Sequence, residues 1–277
     1  MNISMIKQDA KNMLKGNRLN SFLVLIIPVI FQFIISLFFG RIMNEKNLIS
    51  VVITIIDYLI VFLLQLGCIS YFLKMSRNEE VKIEEVFSKS SILIKAIIIS
   101  IISGALLYLG TFLGIFSMAI GMVGTLDYGN TNIFFGWLSI LGLVSLVMDI
   151  IGIILLFAYS MALYLLIDNP QIGIIKALKE SRIMMKGHKW EYFCLVLNII
   201  ALPIIIFVII FGIINLSIES IWGGLFLYLI IMIGAWIYMI VNVIPHLYLA
   251  NSIFYDALLA NENNSDNINN SDNVNNI

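Results

Sequence analysis

The sequence predicts an all-α protein: a polytopic membrane bundle of about six transmembrane helices, with amphipathic interfacial helices on its cytoplasmic side. Three observations carry this. Of 277 residues, 61% are hydrophobic and 12% are charged, about half the charged share of an ordinary soluble domain. The apolar residues fall in six runs, each near or beyond the ~20 residues that cross a hydrocarbon core. Lys and Arg gather in every second gap between those runs, the bias that sets membrane orientation. The same composition excludes disorder over most of the chain. A net charge of −1 speaks against a nucleic-acid partner, and two cysteines exclude a disulfide scaffold.

The runs cover 21–39, 48–73, 92–123, 133–167, 192–216 and 221–249. The third and fourth are long for one crossing, since a helix of 35 residues reaches about 50 Å and tilt absorbs only part of the excess. A break or interfacial segment is expected near Gly136 and Gly142, and another near Gly114 and Gly124. Seven or eight hydrophobic elements is the alternative count. The first 18 residues are charged and amphipathic, and no A-x-A-like cleavage site follows the first run, so that run reads as a retained span.

Lys7, Lys11, Lys15 and Arg18 precede the first span. Lys74, Arg77, Lys82, Lys89 and Lys95 follow the second, and Lys176, Lys179, Arg182, Lys186 and Lys189 follow the fourth. Together these are 14 of the 16 basic residues; only Arg41 and Lys46 fall on the other side, and the loops at Asp127 and Glu219 hold none. Both termini are therefore expected in the cytoplasm. The domain reading is a cytoplasmic amphipathic arm at 1–20 and a six-span domain at 21–250, with cytoplasmic amphipathic segments at 74–91 and 168–191. A disordered, Asn-rich acidic tail at 251–277 completes it.

The chain repeats itself. Lys11-Asn12-Met13-Leu14-Lys15-Gly16-Asn17-Arg18 is echoed by Arg182-Ile183-Met184-Met185-Lys186-Gly187-His188-Lys189, and both lead into a span. Each reads as a short amphipathic helix stopped by glycine. In the first, Ile6, Ala10, Met13 and Leu14 share a face, and Lys7, Lys11 and Lys15 follow at steps of four on another. In the second, Asp168-Asn169-Pro170 is expected to cap and start the helix. Ile174, Leu178 and Met185 then line one side, and Lys179, Arg182 and Lys186 the other. A weaker third copy holds Ile83, Val86 and Phe87, diluted by Glu79, Glu80, Glu84 and Glu85. Such helices lie in the headgroup boundary with lysines toward anionic lipid.

Several stretches together resemble one family. They are the Lys-Gly-Asn-Arg of the arm and Tyr159-Ser160-Met161-Ala162-Leu163-Tyr164 running to Asp168-Asn169-Pro170. Ala177-Leu178-Lys179-Glu180-Ser181-Arg182 running to Met185-Lys186-Gly187-His188-Lys189-Trp190 follows, and then Pro245 before Phe254-Tyr255. The chain is similar to the bacterial integral membrane proteins grouped as domain of unknown function 975. That resemblance implies a location and a fold, not a reaction. Members often carry a Ser-Phe-Ile-Gly-Trp-like stretch early in the fifth span, where this chain reads Asn198-Ile199-Ile200-Ala201-Leu202.

Candidate site residues are few. Asp57 lies near the middle of the second span, with Gln65 eight residues on, roughly on the same face. An acid there costs about 2.5–3.5 kcal/mol on the insertion scale and marks either a packing hydrogen bond or an ion or proton site. If the fourth crossing begins near Leu146, Asp149 lies just inside the outer interface. Gly110 and Gly114 form a G-x-x-x-G pair, read as packing within the bundle. His188 and His246 have no metal-ligand spacing, and Cys68 and Cys194 read as free thiols. No catalytic, cofactor or metal site is expected, because convergent polar groups are too sparse. The favoured function is a non-enzymatic membrane protein of the bacterial envelope, placed in the plasma membrane. It would scaffold, regulate or contact lipid through Lys7, Lys11, Lys15, Lys179, Arg182, Lys186 and Lys189, with anionic headgroups or a membrane or cytoplasmic protein as partner. The alternative is a small-solute or ion transporter built on Asp57.

Overall fold

Apolar runs this long can satisfy their backbone inside lipid only as helices or closed barrels, and every element of the structure is helical. The computed structural model describes residues 2–43, 47–128, 131–217 and 221–274, without side chains at 41–43, 121–128, 131–139, 211, 213–217, 221–229 and 263–274. Lys46, Glu219 and the end of the tail at 275–277 lie outside the described residues. The long helices are α1 (Ile3–Met43), α2 (Leu48–Ser76), α3 (Leu93–Tyr128), α4 (Thr131–Ala158), α7 (Lys189–Ser217), α8 (Ile221–Tyr238) and α9 (Ile244–Val274). Short helices α5 (Ala162–Asp168) and α6 (Ile174–Met184) lie between α4 and α7, a 3-10 turn covers Ile83–Phe87, and a π-helical turn covers Met239–Val243. Among the described residues six helical segments are long and apolar enough to cross a membrane, the number the sequence predicts.

Two expectations about helix ends are corrected, and a third is met in part. The arm helix ends where its motif predicts, because a kink at Asn17 (φ −123°, ψ 18°) separates it from the helix of the first span within α1, but Gly16 itself does not take a left-handed φ. Gly187 does act as expected, with φ +89° just after α6. Asp168 does not start α6, because it is the last residue of α5. The α6 N-cap is Gly173, with no side-chain cap, and the Asn169 side chain instead accepts from the Gln171 amide at 3.2 Å. The predicted breaks near Gly114–Gly124 and Gly136–Gly142 are absent, as α3 and α4 run through them. The interruption falls later, at Tyr159-Ser160-Met161. There the Ala162 amide donates to the Tyr159 carbonyl at 3.0 Å, and the Ala158 carbonyl accepts from Ser181 Oγ at 3.0 Å. A side chain on α6 thus supplies a hydrogen bond near the helix break.

The chain divides into two compact units, Met1–Ser91 with Trp190–Ile277, and Ile92–Lys189. In the first, α1, α2 and α9 pack on one another. Their buried residues concentrate at one end of the helices: Ile6, Ala10 and Leu14 in α1, Leu64 to Met75 in α2, and Leu249 to Leu258 in α9. Further along α1 and α2, Phe33, Leu37, Ile55 and Ile56 are exposed. Lipid is as apolar as leucine, so nothing drives those side chains inward. Phe72 stands 5.4 Å from Tyr248, and Phe254 stands 5.3 Å from Tyr192 at the start of α7. Polar clamps tie the same end. Asp256 of α9 accepts from Ser76 Oγ at 2.6 Å and from Arg77 Nη2 at 2.8 Å, and Lys74 pairs with Glu85 at 2.9 Å. Lys74 and Arg77 are therefore held by acids of the chain itself.

The first part of the predicted tail is corrected by the same packing. Residues 251–262 belong to α9, with Phe254, Tyr255 and Leu258 buried, because apolar residues recur there at helical spacing. The α9 backbone runs on as helix to Val274.

In the second unit α3 and α4 form a close hairpin. A Cβ on Gly110 would strike the Asp149 carboxylate, one on Gly152 would strike the Leu107 backbone, and one on Gly114 would lie 3.1 Å from Ser145 Oγ. The small residues thus serve packing, as the sequence suggests. Lys95 Nζ donates to the Pro170 and Ile172 carbonyls at 2.8 and 3.2 Å, fixing the loop before α6.

Gly67 in α2 is the tightest test of this architecture, since a Cβ there would meet the Val86 backbone. Gly67→Ala is expected to destabilise by about 1–3 kcal/mol. Gly142→Ala in α4, where a Cβ meets nothing within 4 Å, is expected to be neutral or stabilising by up to about 1 kcal/mol. Thermal unfolding in detergent measures both.

Candidate functional site

The first unit contains a cleft of about 370 Å³, within the ~300–1,000 Å³ range of small-molecule sites. Its first wall is the arm of α1, which contributes Lys7, Lys11, Leu14 and Arg18. Lys7, Lys11 and Leu14 share a stripe because steps of four and seven residues at about 100° each stay within about 40° of the start, and Arg18 joins them from beyond the kink at Asn17. Lys15, eight residues from Lys7, is about 80° out of phase and is not part of the lining. The second wall is Asn198, Ile199, Leu202 and Pro203 of α7. Pro203 has no N–H to donate to the Ile199 carbonyl, one turn back.

The third wall is the α8–α9 junction: Tyr238, Val241, Asn242, Val243, Pro245 and His246. Pro245 would clash with the carbonyl four residues before it in a regular helix. The chain instead takes a π turn, with the Ile244 amide donating to the Met239 carbonyl, five residues back. Such single wide turns recur at functional sites.

Lys7 ties the walls together. Its ammonium donates to the Asn198 carbonyl at 3.3 Å, and its own carbonyl lies 3.0 Å from His246 Nε2. A carbonyl only accepts, so Nε2 carries the proton, and Nδ1 of the neutral ring remains an acceptor. Lys11 and Arg18 are exposed and make no ion pair or hydrogen bond among the described residues. Among the described residues no Asp or Glu lines the cleft. The site is a cationic mouth on an apolar wall.

The other predicted residues scatter. Lys179, Arg182 and Lys186 are exposed on and just after α6, opposite buried Ala177, Leu178, Ser181 and Met184. Lys189 is half-buried. Asp57 is buried at 5% exposure, and its Oδ1 has no hydrogen-bond partner among the described residues. Gln65 is exposed, so the two do not share a face; eight residues leave them about 80° apart. Asp149 sits well inside α4 against Gly110, not at the helix start, because α4 begins at Thr131. Cys68 and Cys194 are free thiols. Among the described residues no three His, Cys, Asp or Glu side chains converge. Sequence reading missed His246, Asn198, Asn242 and Tyr238 as lining residues. Pro245 and Pro203, each close to these polar residues in the apolar runs, were the available signal.

Fold and cleft define a multi-pass helical membrane protein in contact with lipid. The chain belongs to the family described as protein of unknown function (DUF975), whose model matches residues 1–262. No curated protein and no solved structure matches it.

Because Lys11 and Arg18 hold no partner, Lys11→Gln with Arg18→Gln is expected to leave stability within about 0.5 kcal/mol. His246→Leu, which deletes the bond to the Lys7 carbonyl, is expected to cost about 1 kcal/mol. Thermal unfolding of the purified protein separates the two classes.

Proposed function

We propose that this chain is a non-enzymatic integral membrane protein of the bacterial cell envelope. It sits in the plasma membrane with both ends in the cytoplasm, and acts as a scaffold or regulator that contacts anionic lipid through its basic interfacial helices. The observation that carries this reading is α6. It buries one face, and Lys179, Arg182 and Lys186 stand exposed without an acidic partner among the described residues. Cations so placed near a membrane surface each contribute about 1 kcal/mol of attraction to anionic lipid. Lys11 and Lys15 on the arm are equally exposed. The test is lipid selectivity of the reconstituted protein, read by electron paramagnetic resonance of spin-labelled lipids. Anionic lipid should be preferred over phosphatidylcholine. Lys179→Gln, Arg182→Gln and Lys186→Gln together should cut that preference, by up to about five-fold per cation. Unchanged selectivity overturns the reading.

A second reading, a transporter, is favoured by Asp57 alone. A buried carboxyl with an unpartnered oxygen costs about 1–3 kcal/mol and is kept by use rather than by stability. Asp57→Leu is expected to raise the unfolding temperature in detergent. A fall instead would mean that the carboxyl is a packing hydrogen bond, and would remove the motive for this reading.

A further inference from the structure

We propose that the cleft of the first unit is a stoichiometric site for one anionic glycerophospholipid, with its phosphate between Lys11, Arg18 and Lys7 and one acyl chain along Leu14, Leu202 and Pro203. The proposal deepens the lipid-contacting reading: it adds a discrete binding site to a diffuse surface attraction.

The charge argument comes first. Among the described residues three cations line one cleft, two of them without a partner, and no carboxylate lines it to neutralise them. Like charges held together without counter-charge repel, and an anion seated among them relieves that repulsion. Arg18 adds a planar fork that grips phosphate oxygens in pairs. The third cation, Lys7, is already oriented by its bond to the Asn198 carbonyl.

Shape and polarity then choose between anions. A free phosphate would leave most of the 370 Å³ and its whole apolar wall unused. Leu202 is 62% exposed and is followed along α7 by Ile205, Ile206 and Ile209, also exposed, so the cleft's apolar side continues into the lipid-facing surface. That continuity gives an acyl chain a path out of the cleft without leaving hydrocarbon. The Tyr238 hydroxyl, the Asn242 amide and Nδ1 of His246 offer polar partners for the ester and hydroxyl oxygens of a headgroup. An anionic phospholipid meets all three walls; a soluble phosphate ester meets only the cationic one.

The test uses the full chain in neutral detergent, titrated with phosphatidylglycerol or phosphatidylcholine and read by native mass spectrometry. One phosphatidylglycerol adduct should form at least ten-fold more tightly than any further one, and phosphatidylcholine should give no such adduct. Lys11→Gln with Arg18→Gln should weaken it at least ten-fold. Leu202→Trp, at an exposed position where an indole fills the apolar wall, should weaken it with the cations intact. Lys179→Gln with Lys186→Gln should leave it unchanged. Persistence of the adduct in both the double cation variant and Leu202→Trp, or equal binding of phosphatidylcholine, overturns the site. Displacement of the lipid by an equal concentration of glycerol phosphate would instead make it a site for soluble phosphate esters, and overturns the lipid assignment. The spin-label experiment stays separate: selectivity that depends on α6 without a single tight adduct sinks the cleft alone, and a tight adduct without α6-dependent selectivity sinks the surface reading alone.

Discussion

In hydrocarbon a leucine gains little by leaving lipid for protein, and that equality shapes this molecule. The apolar stretches of α1 and α2 are exposed along much of their length, while the same helices are packed tightly at one end. What fixes them there is a mixture of aromatic contacts and a few polar bonds that lipid cannot replace. Lys7 joins α1 to α7 and α9, and Asp256 joins α9 to α2. In the second unit Lys95 and Ser181 play the same part around α6. Each bond links two elements through a polar group near low-dielectric surroundings, where an unmade bond costs more than a made one gains.

The same reasoning explains why the basic residues do different jobs. Arg77, Lys74 and Lys95 are tied to acids or carbonyls of the chain. Lys11, Arg18, Lys179 and Lys186 are not, and stand exposed. Lysine density alone does not separate the two groups. The acids that claim a cation do, and Glu85 and Asp256 lie far from each other in sequence.

Much of the fold was legible because membrane spans announce themselves by length and apolarity, and six runs match six segments long and apolar enough to cross a membrane among the described residues. The amphipathic face of α6 was legible for a similar reason: Leu178 and Met185 fall inward and Lys179 and Arg182 outward at helical period. Helix ends were less legible. Gly16 and Gly187 sit in matching motifs, yet only Gly187 takes a left-handed φ, because a glycine permits a stop without requiring one. The cleft was half legible. Lys7 and Lys11 were named from the sequence, but Arg18 enters the lining from beyond the kink at Asn17, which no helical period predicts. The other two walls arrive from distant segments, and Asn198 to Leu202, where the chain departs from its family's usual wording, forms part of one of them.

The joint at Asn17 has a mechanical meaning. The arm and the first span are two helices that meet at a kink on Asn17, so the heading of the arm is set by the backbone of one residue. A substitution that alters the conformations open to residue 17 would swing the wall bearing Lys7 and Lys11 as a unit, while the hydrophobic run beyond keeps its own helical bonds.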